Sequence, residues 1–371
     1  MGIGSIGIPP SGWMRQRQEC PAVATGFLPS FQCPGSVPPL IFTSSLHREP
    51  CINLPLSAGR VSHFMKFFLP LLFAASFSLA TSAEREPSII WINELPANKS
   101  LPVNTTHQTF YSEAAGTDVG YCLYLPPGYN EDTPVRYPVI YNLHGNGGNE
   151  FHSFEDVEVL HAGIVAGKWP PMIMALPNGG HSTFYKDSHD GKLPIETMFI
   201  KEFIPHLDTT YRTVAAREGR CIEGFSMGGR GSLRLTMKYP DLFCSLFCQA
   251  GNVPRTLANF EAAENWEDVI QGYLGPDREN YVNNDAFLLL EKNLKKIKGR
   301  LRIQMACGTK DGGHLPTVRD FHQHLVANGV DHTYIELEGL AHQRTEMIKL
   351  LEPIWFDYHV ESIRLATEAA K

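Results

Sequence analysis

The segment Gly224-Phe225-Ser226-Met227-Gly228-Gly229 constrains this chain more than any other stretch. It follows the short apolar run Cys221-Ile222 and precedes a helical pattern over 232–238, so it reads as strand, sharp turn and helix. A serine at the apex of so tight a turn occupies a strained backbone, and its neighbours must be small. Gly224 and Gly228 supply that room, and Gly229 lets the helix lie close to the sheet. The helix N-terminus behind the serine offers backbone N–H groups and a positive dipole end to a developing oxyanion. In that setting G-x-S-x-G is a nucleophile elbow. The alternative is an ordinary glycine-rich turn.

An elbow needs a sheet to stand on, and the surrounding pattern supplies one. Two β-rich runs, 107–112 and 120–125, flank a turn region and predict an opening hairpin. Near-continuous apolar runs at 137–143, 172–176 and 243–247 have the character of strands buried on both faces. Further strands are expected at 301–306 and 332–337, with helices at 196–207, 261–273, 286–297, 315–328 and from about 346 to 365. Strands alternating with helices predict an α/β fold, a mostly parallel central sheet with helices on both faces. The polar, helical stretch 252–298 is expected to form a small cap, with Trp266 and Tyr273 shaping a substrate pocket or only packing the cap onto the sheet.

A serine hydroxyl is a weak nucleophile at neutral pH and needs a base that is itself oriented by an acid. On an elbow fold these follow in the order Ser, Asp or Glu, His. The strand at 301–306 runs into Cys307-Gly308-Thr309-Lys310-Asp311, and the strand at 332–337 into Glu338-Gly339-Leu340-Ala341-His342. Asp311 and His342 therefore belong to loops at the same edge of the sheet as Ser226. Of the 15 histidines, His314 is the rival base because it lies close to Asp311, whereas His322 and His324 fall on a helix. Asp285 and Asp320 read as a helix start and a helix face. For the oxyanion, the N–H of Met227 follows the nucleophile, and the loop His144-Gly145-Asn146-Gly147-Gly148 supplies a second N–H, from Asn146 or alternatively Gly145. That loop lacks the Lys-Ser/Thr pair of a phosphate cradle.

The start of the chain bears on compartment. Met65-Lys66, an apolar run over 67–80, and Thr81-Ser82-Ala83 before Glu84 have the form of a secretory signal peptide spanning 65–83. Such a signal must be N-terminal, so residues 1–64 are expected to be a leader that the mature protein lacks; a disordered extension is the alternative. Two sequons, at Asn98 and Asn104, sit in a linker over 84–106 and suit a secreted chain. A domain over 107–365 follows. With 43% hydrophobic residues the 371-residue chain can bury a large core, and its net charge of -7 gives no basic footprint for nucleic acid. The apolar run at 67–80 is short for a bilayer, so stable membrane insertion is not expected. No C-x-x-C or Cys/His cluster suggests a metal, and no cofactor is implied.

These pieces together resemble the esterase D-like family of α/β-hydrolases, which includes feruloyl esterases, acetyl xylan esterases and S-formylglutathione hydrolases. The similarity runs through Tyr124-Leu125-Pro126-Pro127-Gly128-Tyr129, the His144-Gly145 loop, Tyr185-Lys186-Asp187-Ser188, Phe203 to Asp208, the elbow, and Cys307 to Asp311. It implies an α/β-hydrolase fold, Ser226, Asp311 and His342 as triad, and Asn146 with Met227 at the oxyanion. One position departs: the base loop reads Leu340-Ala341-His342-Gln343-Arg344, where the family often has Gly-His and an aromatic. The expected protein is a secreted serine carboxylesterase, acting on small or polysaccharide-linked esters such as feruloyl or acetyl groups of plant cell walls. An S-formylglutathione hydrolase, an acyltransferase and a non-catalytic binding protein are the alternatives.

Overall fold

The computed structural model describes residues 89–262 and 272–371. Residues 1–64, the 65–83 segment, Trp266 and most of the helix expected at 261–273 lie outside the described residues. Eight strands form one sheet: β1 (Thr105–Ser112), β2 (Thr117–Tyr124), β3 (Val139–Leu143), β4 (Ile173–Pro177), β5 (Arg220–Phe225), β6 (Ser245–Gln249), β7 (Arg302–Gly308) and β8 (His332–Leu337). Their spatial order is β1-β2-β4-β3-β5-β6-β7-β8. β2 runs antiparallel to β1 and β4, and every pairing from β4 to β8 is parallel. β3 through β7 are buried almost throughout, which explains their continuous apolar runs.

Successive residues of β5 show how the helices cover both faces. Glu223 meets Trp355 and His359 of the terminal helix Trp355–Ala369. The space a side chain would need at its neighbour Gly224 is filled by Gly228 of the elbow helix Met227–Lys238. The two helices therefore lie on opposite sides of the sheet. Helix Ala286–Ile297 has the expected bounds, and Asp285 caps it by accepting from the N–H groups of Phe287 and Leu288.

Three helical features differ from the sequence reading. Helix Phe154–Val165, the crossover between β3 and β4, had not been assigned, although Phe154, Val157 and Leu160 have helical spacing and Glu155 and Asp156 occupy its first turn. The segment expected at 196–207 is helical from Ile195 to Thr210 but passes through a π-helical stretch at Met198–Phe203. Pro205 lacks the N–H that would continue the α pattern there. The single terminal helix is two, Arg344–Leu351 and Trp355–Ala369, broken at Pro353. No helix among the described residues is long and apolar enough to cross a membrane.

Candidate active site

The C-terminal ends of β3, β5, β7 and β8 carry the residues singled out from sequence, at the edge where the strand order reverses around β3. Ser226 caps the elbow helix with φ 56° and ψ -117°, a conformation that costs a non-glycine residue about 1–3 kcal/mol. Its N–H donates to the Gln249 carbonyl of β6 at 2.8 Å, and the Arg230 N–H returns to the Ser226 carbonyl at 2.9 Å. The glycines beside it are required by contact rather than by φ. A Cβ on Gly224 would lie 2.6 Å from the Leu143 carbonyl oxygen, and one on Gly228 only 1.9 Å from it.

His342 Nε2 stands 2.9 Å from Ser226 Oγ, and its Nδ1 2.6 Å from Asp311 Oδ2. The other oxygen of Asp311 is 2.8 Å from Nδ1 of His314, whose ring is stacked on His342 with centroids 4.1 Å apart and planes 6° from parallel. Asp311 is buried. Burial alone would raise its carboxyl, but the bonds from His342 and His314 outweigh this and hold it below the usual carboxylate range. An ionised carboxylate can only accept, so both rings carry a hydrogen on Nδ1. Nε2 of neutral His342 is then free to receive the serine proton. His314, the sequence-level rival, contacts the acid and the base but not the serine. Asp311, His314 and His342 bring possible ligand atoms within 4.8 Å of one another, and both Nδ1 atoms are already at hydrogen-bond distance from the carboxylate.

The loop after β3 is fixed by His144, whose contribution the sequence did not reveal. His144 is buried, accepts the Gly179 N–H on Nε2 at 3.0 Å, and lies 2.9 Å from the Gly145 carbonyl through Nδ1. Burial pushes it down to about 4, so it is neutral, with its hydrogen on Nδ1. The Gly145 carbonyl also accepts the Gly148 N–H at 3.0 Å. A trans peptide points its C=O and N–H in opposite directions, so anchoring this carbonyl inward turns the Asn146 N–H the other way. Gly145 itself comes close to the nucleophile, since a Cβ there would be 3.7 Å from Ser226 Cβ. The Asn146 side chain is held by Ser182 at 2.5 Å. Met227, the first residue of the elbow helix, has one of the N–H groups that a helix leaves without an internal acceptor.

The base loop is tied down two residues beyond His342. Arg344 bonds Glu155 at 3.0 Å and also Asp156, a buried carboxylate of helix Phe154–Val165. Asp156 joins Asn142 of β3 at 2.6 Å, and Asn142 joins Glu223 of β5 at 2.8 Å. Tyr273 bonds the Lys186 carbonyl at 2.6 Å and so ties the segment after residue 271 to the 184–193 loop rather than to the sheet. Asn98 and Asn104 are exposed. A groove of about 410 Å³ lined by Asn252, Arg255, Asn259, Gly313 and Thr317 adjoins the Asp311–His314 loop. A larger cavity, about 770 Å³, lies away from this chemistry at the start of β7 and β8, beside Arg302 and His332.

The family model described as "Putative esterase" matches residues 112–354. Esterase Rv1288 of Mycobacterium tuberculosis is 32% identical over 284 residues, covering 70% of this chain and 61% of that protein. The chain thus spans about three-fifths of that relative's length. The endo-1,4-beta-xylanase/feruloyl esterase of Xylanibacter ruminicola is 32% identical over 149 residues, 38% of this chain and 20% of that one. A solved ferulic acid esterase shares the fold with a TM-score of 0.58 at 22% identity, covering 69% of this chain and 98% of its own.

Proposed function

The chain belongs to the putative esterase family, and from that premise we propose that it is a serine carboxylesterase working through an acyl-enzyme. The observation that carries the reading is the continuous relay from Ser226 Oγ to His342 at 2.9 Å and on to Asp311 at 2.6 Å. In this reading His342 takes the Ser226 proton as the serine oxygen attacks the ester carbonyl. The N–H groups of Met227 and Asn146 receive the oxyanion. His342 then protonates the departing alcohol, the C–O bond breaks, and water activated by the same imidazole hydrolyses the acyl-serine.

The substrate reading is an extracellular feruloyl or acetyl ester of plant cell-wall polysaccharide, with secretion through the 65–83 segment. Supporting it are the form of that segment, the exposed sequons at Asn98 and Asn104, and the similarity to a xylanase/feruloyl esterase. The groove at Gly313, lined by Val253, Pro254 and Ala258 as well as Asn252 and Arg255, offers room for the alcohol portion.

The test is turnover of methyl ferulate, acetylated xylan, short p-nitrophenyl esters and S-formylglutathione, with Ser226→Ala alongside. The variant should stay folded and lose at least about 10³-fold in kcat. Full activity in Ser226→Ala would overturn the mechanism. Turnover limited to the thioester or to short model esters would remove the cell-wall assignment. Secreted protein beginning near Glu84 supports the compartment, and recovery of residues 1–64 on it would sink that part.

A further inference from the structure

A relay of three residues leaves His314 without a task, yet its geometry is too specific for a bystander. It starts helix Leu315–Ala327, with its backbone N–H bonded to the Asp311 carbonyl at 3.2 Å and its carbonyl accepting from Thr317 Oγ1 at 2.8 Å. Its ring is therefore presented on a rigid turn. Asp311 bridges the Nδ1 edges of two stacked imidazoles, each aimed at a different carboxylate oxygen.

We propose that His314 is a positioning residue for the ester-cleaving relay: it clamps Asp311 through Oδ1, so that Oδ2 stays aligned with His342 and His342 with Ser226. The inference rests on the serine-esterase reading of this site. A carboxylate on a loop can rotate about its terminal torsion, which is broad and roughly two-fold, so one bond to His342 would not fix its plane. A second donor on the other oxygen does. Cys307 of β7 adds only a weak S–H contact, 3.9 Å from Oδ2.

The clamp works only while His314 stays neutral, because a charge there would compete with protonated His342 for the same carboxylate at a ring separation of 4.1 Å. The surroundings favour that state. Burial pushes His314 below the ordinary histidine range, His342 and Arg230 of the elbow helix push the same way, and Asp311 alone pulls it up. Neutral His342 stacked on neutral His314 can then gain its proton during attack without meeting a second full charge.

The experiment compares His314→Ala and His314→Asn with the wild-type chain. Asparagine sets an amide N–H where Nδ1 stood and cannot become charged. His314→Ala should lower kcat about 10-fold while KM stays within about twofold, because the alignment matters only as the proton moves. His314→Asn should recover most of that loss. An activity-independent reading comes from proton NMR of histidine-labelled protein. The carboxylate-bonded Nδ1–H resonances of His342 and His314 should both appear far downfield in wild type, and only that of His342 in His314→Asn. A wild type that turns over no ester would defeat the esterase reading, while both of these protons downfield would still uphold the clamp. Active wild type with only the His342 proton of this pair downfield, or His314→Ala with unchanged kcat, would overturn the inference. A rise in KM at constant kcat would also overturn it, making His314 a substrate contact instead. Should His314→Ala fail to fold, the Asn variant and these two resonances decide alone.

Discussion

Replacing Gly228 by alanine tests the elbow where it is tightest. The added Cβ would sit 1.9 Å from the Leu143 carbonyl oxygen, 2.6 Å from its carbon and 2.8 Å from the His144 carbonyl oxygen. All three are backbone atoms, so no side chain can swing aside. Relieving the clash to 3.0 Å requires the elbow helix and the end of β3 to part by about 1 Å. That displacement falls between Ser226 on one side and the Gly145–Asn146 peptide on the other. A misplacement of about 1 Å can cost about 10²-fold in rate, and we expect kcat to fall by that order. Overpacking against rigid backbone should also cost about 3 kcal/mol, which in a domain of this size lowers Tm by roughly 6–12 °C. Thermal melting and p-nitrophenyl acetate turnover, normalised to the fraction that reacts with a fluorophosphonate probe, measure the two effects separately. Wild-type melting and wild-type kcat in Gly228→Ala would refute the claim that close approach is why glycine stands there.

Arg344→Ala should lower kcat about 10-fold with little change in KM, because it frees the loop that carries His342; steady-state kinetics read the split. Glu196 pairs with Arg234 and Lys238, and although burial alone would raise its carboxyl, the two cations hold it at about 2 against an ordinary 4.5. A carboxyl depressed in the folded state contributes stability that is present above about pH 4.5 and lost as pH falls towards 2. Lys238 is itself pushed down by burial, so the net gain is smaller than the carboxyl's share, and Glu196→Gln should cost about 2–3 kcal/mol at neutral pH. Urea melts at pH 7 and pH 3 should show that difference shrinking in acid; an equal cost at both would contradict the pairing.

The sheet was legible because its strands are buried on both faces. The apolar runs at 137–143, 172–176 and 243–247 contain or overlap β3, β4 and β6. Helix Phe154–Val165 escaped because its buried face includes Asp156 and Gly163, which blur the apolar period. The order Ser226, Asp311, His342 could be read from strand ends alone. The contacts supporting that set could not: His314 stands three residues from Asp311, but proximity in sequence does not say that it bonds the second carboxylate oxygen, and the others act across the fold. His144 reaches Gly179, and Arg344 reaches back 188 residues to Asp156. A one-dimensional pattern records which residues end a strand; it does not record which side chains then meet.

The base loop is held by the same network. Beneath the elbow, Glu223 is fully buried and accepts from Asn142 at 2.8 Å, Trp355 at 2.6 Å and Gln249 at 3.5 Å, with His359 Nε2 at 3.2 Å. Asn142 bridges it to Asp156, and burial first, then the nearby Glu223, pushes Asp156 up to about 6 against the pull of Arg344. Two carboxylates in a core are costly unless every oxygen is bonded. Arginine at 344 brings the counter-charge from the base loop itself, so pairing the buried carboxylate and fixing the His342 loop become one requirement. The same logic explains why Glu223 stands three residues before Ser226: its bonds reach β3, β6 and the terminal helix, the elements against which a strained serine must be held still.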